Sequence, residues 1–238
     1  MIQIVQALNT RDCGARVCFC QEMLDLIGED EDLVKNIWMS DEATFHVSGF
    51  VNKQNFCYWS QVNPRALHEK PLHSQKVTVW CAMSASGIFG PYFFENEAGN
   101  AVTVNADCYV EMLQNFFTPQ LAHFHVNENM LFQQDVATSH TARMSMNAVN
   151  ALFPNRVISR NGDIPCPPPD LTPCDYFLWG YLKKEVFETK PRTKQRIQDE
   201  VSAIPVEMLQ EVMNSFRSRL EECVCRNGSH LDGVIFKT

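Results

Sequence analysis

Residues 37–47 have the sequence IWMSDEATFHV, which alternates with the period of two that places successive side chains on opposite faces of a strand. The polar face of this predicted strand carries Glu42, and the apolar face carries Asp41. A carboxylate on an apolar face is costly unless it is paired or binds a cation. Asp41 therefore needs an explanation that Glu42 does not. The other members of the apolar face are Ile37, Met39, Ala43, Phe45 and Val47.

A second carboxylate ends a short apolar run. The segment MLFQQD predicts a buried strand that finishes at Asp135. Together with the acids that follow the proline-rich segment GDIPCPPPDLTP, Asp41 and Asp135 could form an oxygen-only site for hard divalent cations. Isolated aspartates more often cap helices or end strands, so spacing alone leaves that alternative open.

The remaining pattern alternates helices and strands. KVTVWCAM and IFGPYFF predict a hairpin turning at SASG, and VISR predicts another short strand. Helices are predicted at 16–27, at 107–122, in TSHTARMSMNAVNALF with Thr138 or Ser139 as N-cap, in CDYFLWGYLKKEVF, and in two segments that meet at Pro205. The order predicts an α/β fold: a mixed sheet with helices on both faces.

Three segments follow from this order. Residues 1–36 form a helical lead-in, residues 37–190 form the core, and residues 191–238 form helices packed on it. The stretch 48–75 has little periodicity and is expected to be an insertion loop within the core.

Composition limits the function classes. The chain is 45% hydrophobic and 20% charged, and it contains no apolar run of about 18 residues, so we expect a soluble, non-secreted protein without a membrane partner. A net charge of −8 argues against a general nucleic-acid binder. Basic residues nevertheless cluster locally, as Lys183, Lys184, Lys190, Arg192, Lys194 and Arg196.

The cysteines are expected to be reduced and structural. Cys13, Cys18 and Cys20 form one cluster, and Cys223, Cys225 and His230 form another. Neither shows the two-residue spacing that lets neighbouring thiolates share a zinc ion.

Three blocks, SDEATFHVSGFVN, FQQDVATSHTAR and PDLTPCDYFLWGYLK, together resemble the catalytic blocks of mariner-like transposases, members of the DDE/D superfamily. The resemblance extends from about residue 1 to about residue 230. It implies an RNase H-like fold with the first acid on the central strand, the second at the end of a later strand, and the third on a following helix.

Carried over to this chain, the resemblance implies that Asp41, Asp135 and Asp175 are catalytic residues and ligands for two divalent ions, Mg²⁺ or Mn²⁺. The motif favours Asp175 over Asp170 as the third acid. Thr172 as N-cap and Pro173 as the first helical residue would also place Asp175 in the first turn of a rigid helix.

The resemblance also implies DNA partners, the transposon ends and the target, and a nuclear location. His140 would contact the scissile phosphate of the DNA, although a lone histidine near a helix start is often only a cap or surface residue. The basic run, above all Lys183, Lys184, Lys190 and Arg192, would follow DNA phosphates, although charge runs are also common on solvated helix faces. The 48–75 loop would help to hold a homodimer together, an ordinary surface loop being the alternative.

The sequence departs from the family at three places. The helix-turn-helix units that read transposon ends would lie before residue 1, so we expect no sequence-reading module. Val136 stands where the subgroup has Gly, and the CPPPDL loop is shortened. These departures motivate an alternative, a catalytically inactive remnant that binds nucleic acid or protein. A further alternative is an RNase H-like nuclease acting on RNA-containing or damaged substrates.

Overall fold

A mixed five-stranded sheet organises the part of the chain that the computed structural model describes, namely residues 8–46, 76–123, 129–166, 169–188 and 193–231. The strands are β1 (Ile37–His46), β2 (Lys76–Ser84), β3 (Gly87–Phe94), β4 (Leu131–Gln133) and β5 (Val157–Ile158). Their order is β3-β2-β1-β4-β5. β1 pairs antiparallel with β2 and parallel with β4, so the predicted hairpin and the predicted mixed sheet are both present.

Helices cover the sheet. They are α1 (Thr10–Glu29), α2 (Leu33–Asn36), α3 (Ala106–Met112), α4 (Thr118–His123), α5 (Thr138–Thr141), α6 (Arg143–Leu152), α7 (Trp179–Glu188), α8 (Lys194–Ala203) and α9 (Val206–Cys225). A π-helical turn, Leu113–Phe117, joins α3 to α4, which makes a continuous helix where residues 107–122 predicted one. A second π-helical turn, Cys174–Leu178, leads into α7.

β1 separates two apolar clusters, because its side chains alternate between them. Met39 and Phe45 belong to the cluster that includes Leu182, Phe216 and other residues of α1, α7, α8 and α9. Trp38 belongs to the opposite cluster, with residues of α3 and α6. The first half of the strand is consequently buried on both faces, which its sequence pattern did not predict.

The helix predicted from Thr138 onwards is interrupted. Ala142 is extended, with φ −58° and ψ 143°, and separates α5 from α6. Ala137 and Ala142 are the N-cap residues, so the prediction that Thr138 or Ser139 caps the helix is wrong. The Ser139 carbonyl accepts a 2.5 Å hydrogen bond from Ser145 Oγ. Splitting the helix leaves His140 in its own short turn, directed at the sheet.

α1 is longer than the predicted 16–27 helix. It starts from an Asn9 cap, whose side chain accepts from the backbone of Arg11 and Asp12. Its buried side chains, which include Phe19 and Met23, belong to the same apolar cluster as β1 and α9. The predicted 48–75 insertion lies outside the described residues. No helix in the described ranges is long and apolar enough to cross a membrane.

The two cysteine clusters of the sequence lie on α1 and at the end of α9. Cys20 and Cys223 are buried and hydrogen-bonded to each other, whereas Cys18 and Cys225 are exposed. Among the described residues no group of three or more His, Cys, Asp or Glu side chains is arranged to hold a metal ion, and this includes both clusters.

Candidate active site

The parallel pairing of β1 with β4 brings the first two predicted acids together. Met39 lies opposite Gln133 in the register, so Asp41 and Asp135, each two residues further along, follow on the same face of the sheet. Ligands of α/β sheets bind at the carboxyl ends of such strands. Asp41, in the middle of β1, and Asp135, just beyond the carboxyl end of β4, both line an open cavity of about 120 Å³.

Asp175 reaches the same cavity from the π-helical turn before α7. The Thr172 carbonyl accepts hydrogen bonds from the backbone N–H groups of Asp175 and Tyr176, at 3.1 and 3.0 Å. Thr172 does not act as the predicted N-cap, because its hydroxyl donates to the Asp175 carboxylate instead of accepting from the backbone. π-helical turns often occur at functional sites, and here the turn carries the third acid.

Asp170, the rival for the third position, has a different partner. Its carboxylate forms a two-point ion pair with buried Arg16 of α1, at 2.5 and 2.7 Å. Its carbonyl accepts from Arg219 of α9 at 2.8 Å. Asp170 thus ties together α1, α9 and the loop before α7, and it does not line the cavity.

The carboxylates of the cavity repel one another. Burial, followed by the charge of Asp175, raises the pKa of Asp41 to about 7, although Trp179 Nε1 donates a 2.6 Å hydrogen bond to Asp41 Oδ2. The pKa of Asp175, at the exposed rim, is also raised, by partial burial of its carboxyl group and by Asp135. Acids whose ionisation is opposed by burial and by neighbouring carboxylates favour a cation between them.

Asp135 is held ionised by a buried histidine. His140 Nδ1 lies 2.5 Å from Asp135 Oδ1, and His140 Nε2 lies 3.0 Å from Glu42 Oε1. Burial opposes a charge on the ring, but the hydrogen bonds with Asp135 and Glu42 outweigh it and raise the pKa of His140 to about 10. The imidazolium in turn outweighs the burial of Asp135 and lowers the pKa of that carboxyl.

The expectation that His140 contacts DNA does not fit this arrangement. Its side chain is 1% exposed, both ring nitrogens are engaged by carboxylates, and its ring packs 4.2 Å from that of Tyr109. His140 is therefore a positioning residue for Asp135. Glu42 does not line the cavity, as expected from its strand face, but it orients His140 from that face.

The basic run is only partly described. Lys190 and Arg192 lie outside the described residues. Lys184 pairs with Glu185 at 3.1 Å, Lys194 pairs with Glu95, and Arg196 pairs with Glu200. Lys183 Nζ lies 5.9 Å from the centre of the Phe45 ring. Its positive charge partly opposes the rise in the pKa of Asp175. Lys183 is thus the described member of the run that acts on the cavity.

Sequence reasoning missed Trp179 and Gln133, among other residues at the site. Trp179 follows Asp175 by four positions, so helical spacing alone could have placed it beside that acid. Gln133 precedes Asp135 by two, so strand alternation could have placed it on the same face. Neither signal reveals that Trp179 donates to Asp41, because that contact joins distant parts of the chain.

Val136 stands at the mouth of the cavity. Its side chain is 52% exposed and lines the opening. Among the described non-glycine residues only Asn155 and Asn227 have positive φ, so valine in place of glycine does not strain this backbone. Its effect is steric, since the branched side chain narrows the entrance.

The three acids offer the oxygen donors that Mg²⁺ and Mn²⁺ prefer. In the described ranges, however, each carboxylate is hydrogen-bonded to its own partner: Asp41 to Trp179, Asp135 to His140, and Asp175 to Thr172. They do not already enclose one point as a ligand group. Binding an ion there would require side-chain rotation and the exchange of some of these hydrogen bonds.

Solved structures of one transposase share this fold. The catalytic domain of Mos1 mariner transposase is 21% identical, with a TM-score of 0.71, covering 97% of this chain and 100% of that one. A pre-cleavage Mos1 transpososome is 22% identical, with a TM-score of 0.77 and coverages of 98% and 68%. The Mos1 paired end complex with Mn is 22% identical, with a TM-score of 0.71 and coverages of 97% and 68%. No protein-family model and no curated relative matches the sequence. At these identities the similarity shows the fold, and the RNase H-like α/β class expected from the sequence is confirmed.

Proposed function

We propose that this chain is the catalytic domain of a mariner-like transposase, which cleaves DNA strands and transfers them with the aid of two divalent ions, Mg²⁺ or Mn²⁺. The observation that supports the proposal is the meeting of Asp41, Asp135 and Asp175 in one cavity, beside the middle of β1 and the carboxyl end of β4. Similar solved structures include Mos1 complexes with a left transposon end, with Mn and with Mg, which supports DNA and metal as partners here.

The residues of the chain have distinct parts in this function. Asp41, Asp135 and Asp175 would hold the ions. When bound, the ions activate a hydroxyl nucleophile and stabilise the leaving oxygen of the phosphodiester. His140 keeps Asp135 ionised, and Trp179 fixes the orientation of Asp41. No side chain needs to form a covalent intermediate, because water or a DNA 3′-hydroxyl is the nucleophile.

The positive charges on and after α7 support contacts with DNA phosphates. Lys183 and Lys184 of α7 would contact phosphates, with Lys190 and Arg192 continuing the run beyond the described part of the helix. We also propose a nuclear location, as chromosomal DNA would be the substrate, and a homodimer held through residues 48–75.

In a nicking assay on supercoiled plasmid, the wild-type protein should produce open circles slowly with Mn²⁺ and more slowly with Mg²⁺, because Mg²⁺ demands stricter octahedral geometry. Asp135→Asn should lower the rate at least about a hundredfold, since it removes a charged ligand but keeps an oxygen for His140.

Asp199→Asn, an exposed acid on α8, is the matched control and should nick at the wild-type rate. If Asp135→Asn nicks as fast as this control, the metal mechanism has no support. If the wild-type protein is inert with both ions and Val136→Gly does not restore nicking, the alternative of an inactive remnant is favoured. That alternative is suggested by the bulk that Val136 adds at the cavity opening.

A further inference from the structure

Gln133 lines the carboxylate cavity and has an unsatisfied, buried side-chain oxygen. The residue is 1% exposed and is one of those that line the cavity. Among the described residues, its Oε1 is buried without any hydrogen-bond partner. Buried polar atoms are nearly always satisfied, and an exception points to a missing water, ion or catalytic partner.

The orientation of the Gln133 amide follows from its neighbour Cys166. The Cys166 thiol donates its hydrogen to the Gln134 carbonyl, with 3.3 Å between sulfur and oxygen. The sulfur is then the acceptor in its hydrogen bond with the Gln133 side chain, so the amide NH₂ faces Cys166. The amide oxygen is left directed away from the thiol.

The backbone places the Gln133 side chain on the same face of the sheet as the acids. Gln133 pairs with Met39 across the parallel strands, and its side chain shares the face of Asp41 and Asp135. The strand is held in place by Ser40, whose hydroxyl donates to the Gln133 carbonyl at 2.8 Å. Gln133 therefore lies beneath the carboxylates on a rigid element.

An amide oxygen can only accept hydrogen bonds or ligate a cation. Of the species in the proposed reaction, a phosphodiester has no proton to donate, whereas water and a DNA 3′-hydroxyl both have one. The three carboxylates already supply oxygen donors for ions, while none of the described groups of the cavity is otherwise assigned to the nucleophile. These considerations favour the nucleophile as the partner of Oε1.

We propose that Gln133 is a further catalytic residue, whose Oε1 accepts a hydrogen bond from the nucleophilic water in strand cleavage and from the 3′-hydroxyl in strand transfer. This inference rests on the proposed DNA-cleaving function. The hydrogen bond aligns an oxygen lone pair of the nucleophile with the phosphorus. As the new P–O bond forms and the P–O bond to the leaving oxygen breaks, the nucleophile releases its proton to solvent and the leaving oxygen takes one up from solvent, while the amide accepts only the hydrogen bond. An acceptor fixed by strand pairing needs no reorganisation when the substrate enters.

The adjacent residue offers a matched control. Gln134 is equally buried but fully satisfied: its Oε1 accepts from Tyr109 at 2.8 Å, and its Nε2 donates to the His140 carbonyl and to Ser159, both at 3.2 Å. Methionine approximates the shape of glutamine without its hydrogen-bonding groups. The two Gln→Met variants therefore separate an oxygen that acts on substrate from one that holds the fold.

Gln133→Met should keep the wild-type unfolding midpoint, or raise it, because an unsatisfied buried group is removed. It should keep the wild-type Mn²⁺ affinity in electron paramagnetic resonance titrations. Its kcat for plasmid nicking should fall on the order of tenfold to a hundredfold with KM for DNA unchanged. Gln134→Met should instead lower the unfolding midpoint, since Tyr109, Ser159 and the His140 carbonyl each lose a hydrogen bond.

Each alternative has its own result. Weakened Mn²⁺ binding by Gln133→Met would make Oε1 an ion ligand and overturn the assignment to the nucleophile. Wild-type kcat in Gln133→Met, with the wild-type protein active, would remove the catalytic role while leaving the proposed function intact. A wild-type protein that fails to nick would remove both.

Discussion

Asp175→Asn should lower the rate of Mn²⁺-dependent nicking by at least about a hundredfold and leave the protein at least as stable as the wild type. Asp170→Asn should instead keep the nicking rate and lower the free energy of unfolding. The two acids lie in one short segment but have different surroundings. Asp175 lines the cavity and has a raised pKa, so its negative charge lowers the free energy of unfolding when no ion is bound. Asparagine keeps an oxygen for the Thr172 hydroxyl.

Asp170 compensates a buried charge. The Arg16 side chain is 4% exposed, and its guanidinium has a two-point ion pair with Asp170. Breaking a buried pair by removing one charge typically costs about 3–5 kcal/mol, and the partial exposure of Asp170 reduces this to about 2–3 kcal/mol. Urea denaturation gives the free energy of unfolding of both variants. Loss of nicking in folded Asp170→Asn, with normal activity in Asp175→Asn, would show that Asp170 and not Asp175 is the third acid of the metal site.

Replacing Asp41 should have a large effect on the free energy of unfolding in the absence of metal. Asp41→Asn should raise the free energy of unfolding by about 2 kcal/mol at about pH 8 in the presence of a chelator. The pKa of Asp41 is raised to about 7 in the folded protein, by burial and then by Asp175, from about 4 in the unfolded chain. A shift of about three units corresponds to about 4 kcal/mol, and we halve it for the incomplete burial of the residue.

The pH dependence has a definite sign. Because the folded protein binds the Asp41 proton more tightly than the unfolded chain, the stability that this proton contributes is present at low pH. It is lost as pH rises from about 4 to about 7. The advantage of Asp41→Asn should therefore grow across that range and stay constant above it. With Mn²⁺ at about a hundred times the wild-type Kd, the wild type gains about 2.7 kcal/mol and a variant that binds tenfold more weakly gains about 1.4 kcal/mol, so the advantage of Asp41→Asn should shrink. A wild type that is more stable than Asp41→Asn in chelator at about pH 8 would show that the Asp41 carboxylate is not under strain.

Strand alternation and motif order predicted the positions of the three acids well, because both are local properties of the chain. Asp41 lies on the predicted strand face, and Asp135 follows the predicted strand. Asp175 lies in the predicted first turn, although this turn is π-helical and Thr172 acts on its carboxylate. Local patterns also predicted the hairpin and the helices that meet at Pro205.

What the sequence did not predict depends on contacts between distant segments. A histidine close to a helix start is usually exposed, but the break at Ala142 turns His140 into the core, where Glu42 and Asp135 hold it. The partners of Asp170 and Asp41, which are Arg16 and Trp179, are likewise distant in sequence. The periodicity of one segment does not predict such pairs, because the pattern of each segment is the same whether or not the partner is present.

Asp41, Asp135 and Asp175 are proposed to bind divalent ions together. Titration of Mn²⁺ followed by electron paramagnetic resonance measures this directly, since free and protein-bound Mn²⁺ give different signals. The wild-type protein should bind Mn²⁺ at neutral pH, and Asp41→Asn, Asp135→Asn and Asp175→Asn should each weaken binding by about tenfold or more, while Asp199→Asn binds as the wild type does. Equal Mn²⁺ binding by the wild type and by all three cavity variants would contradict the account.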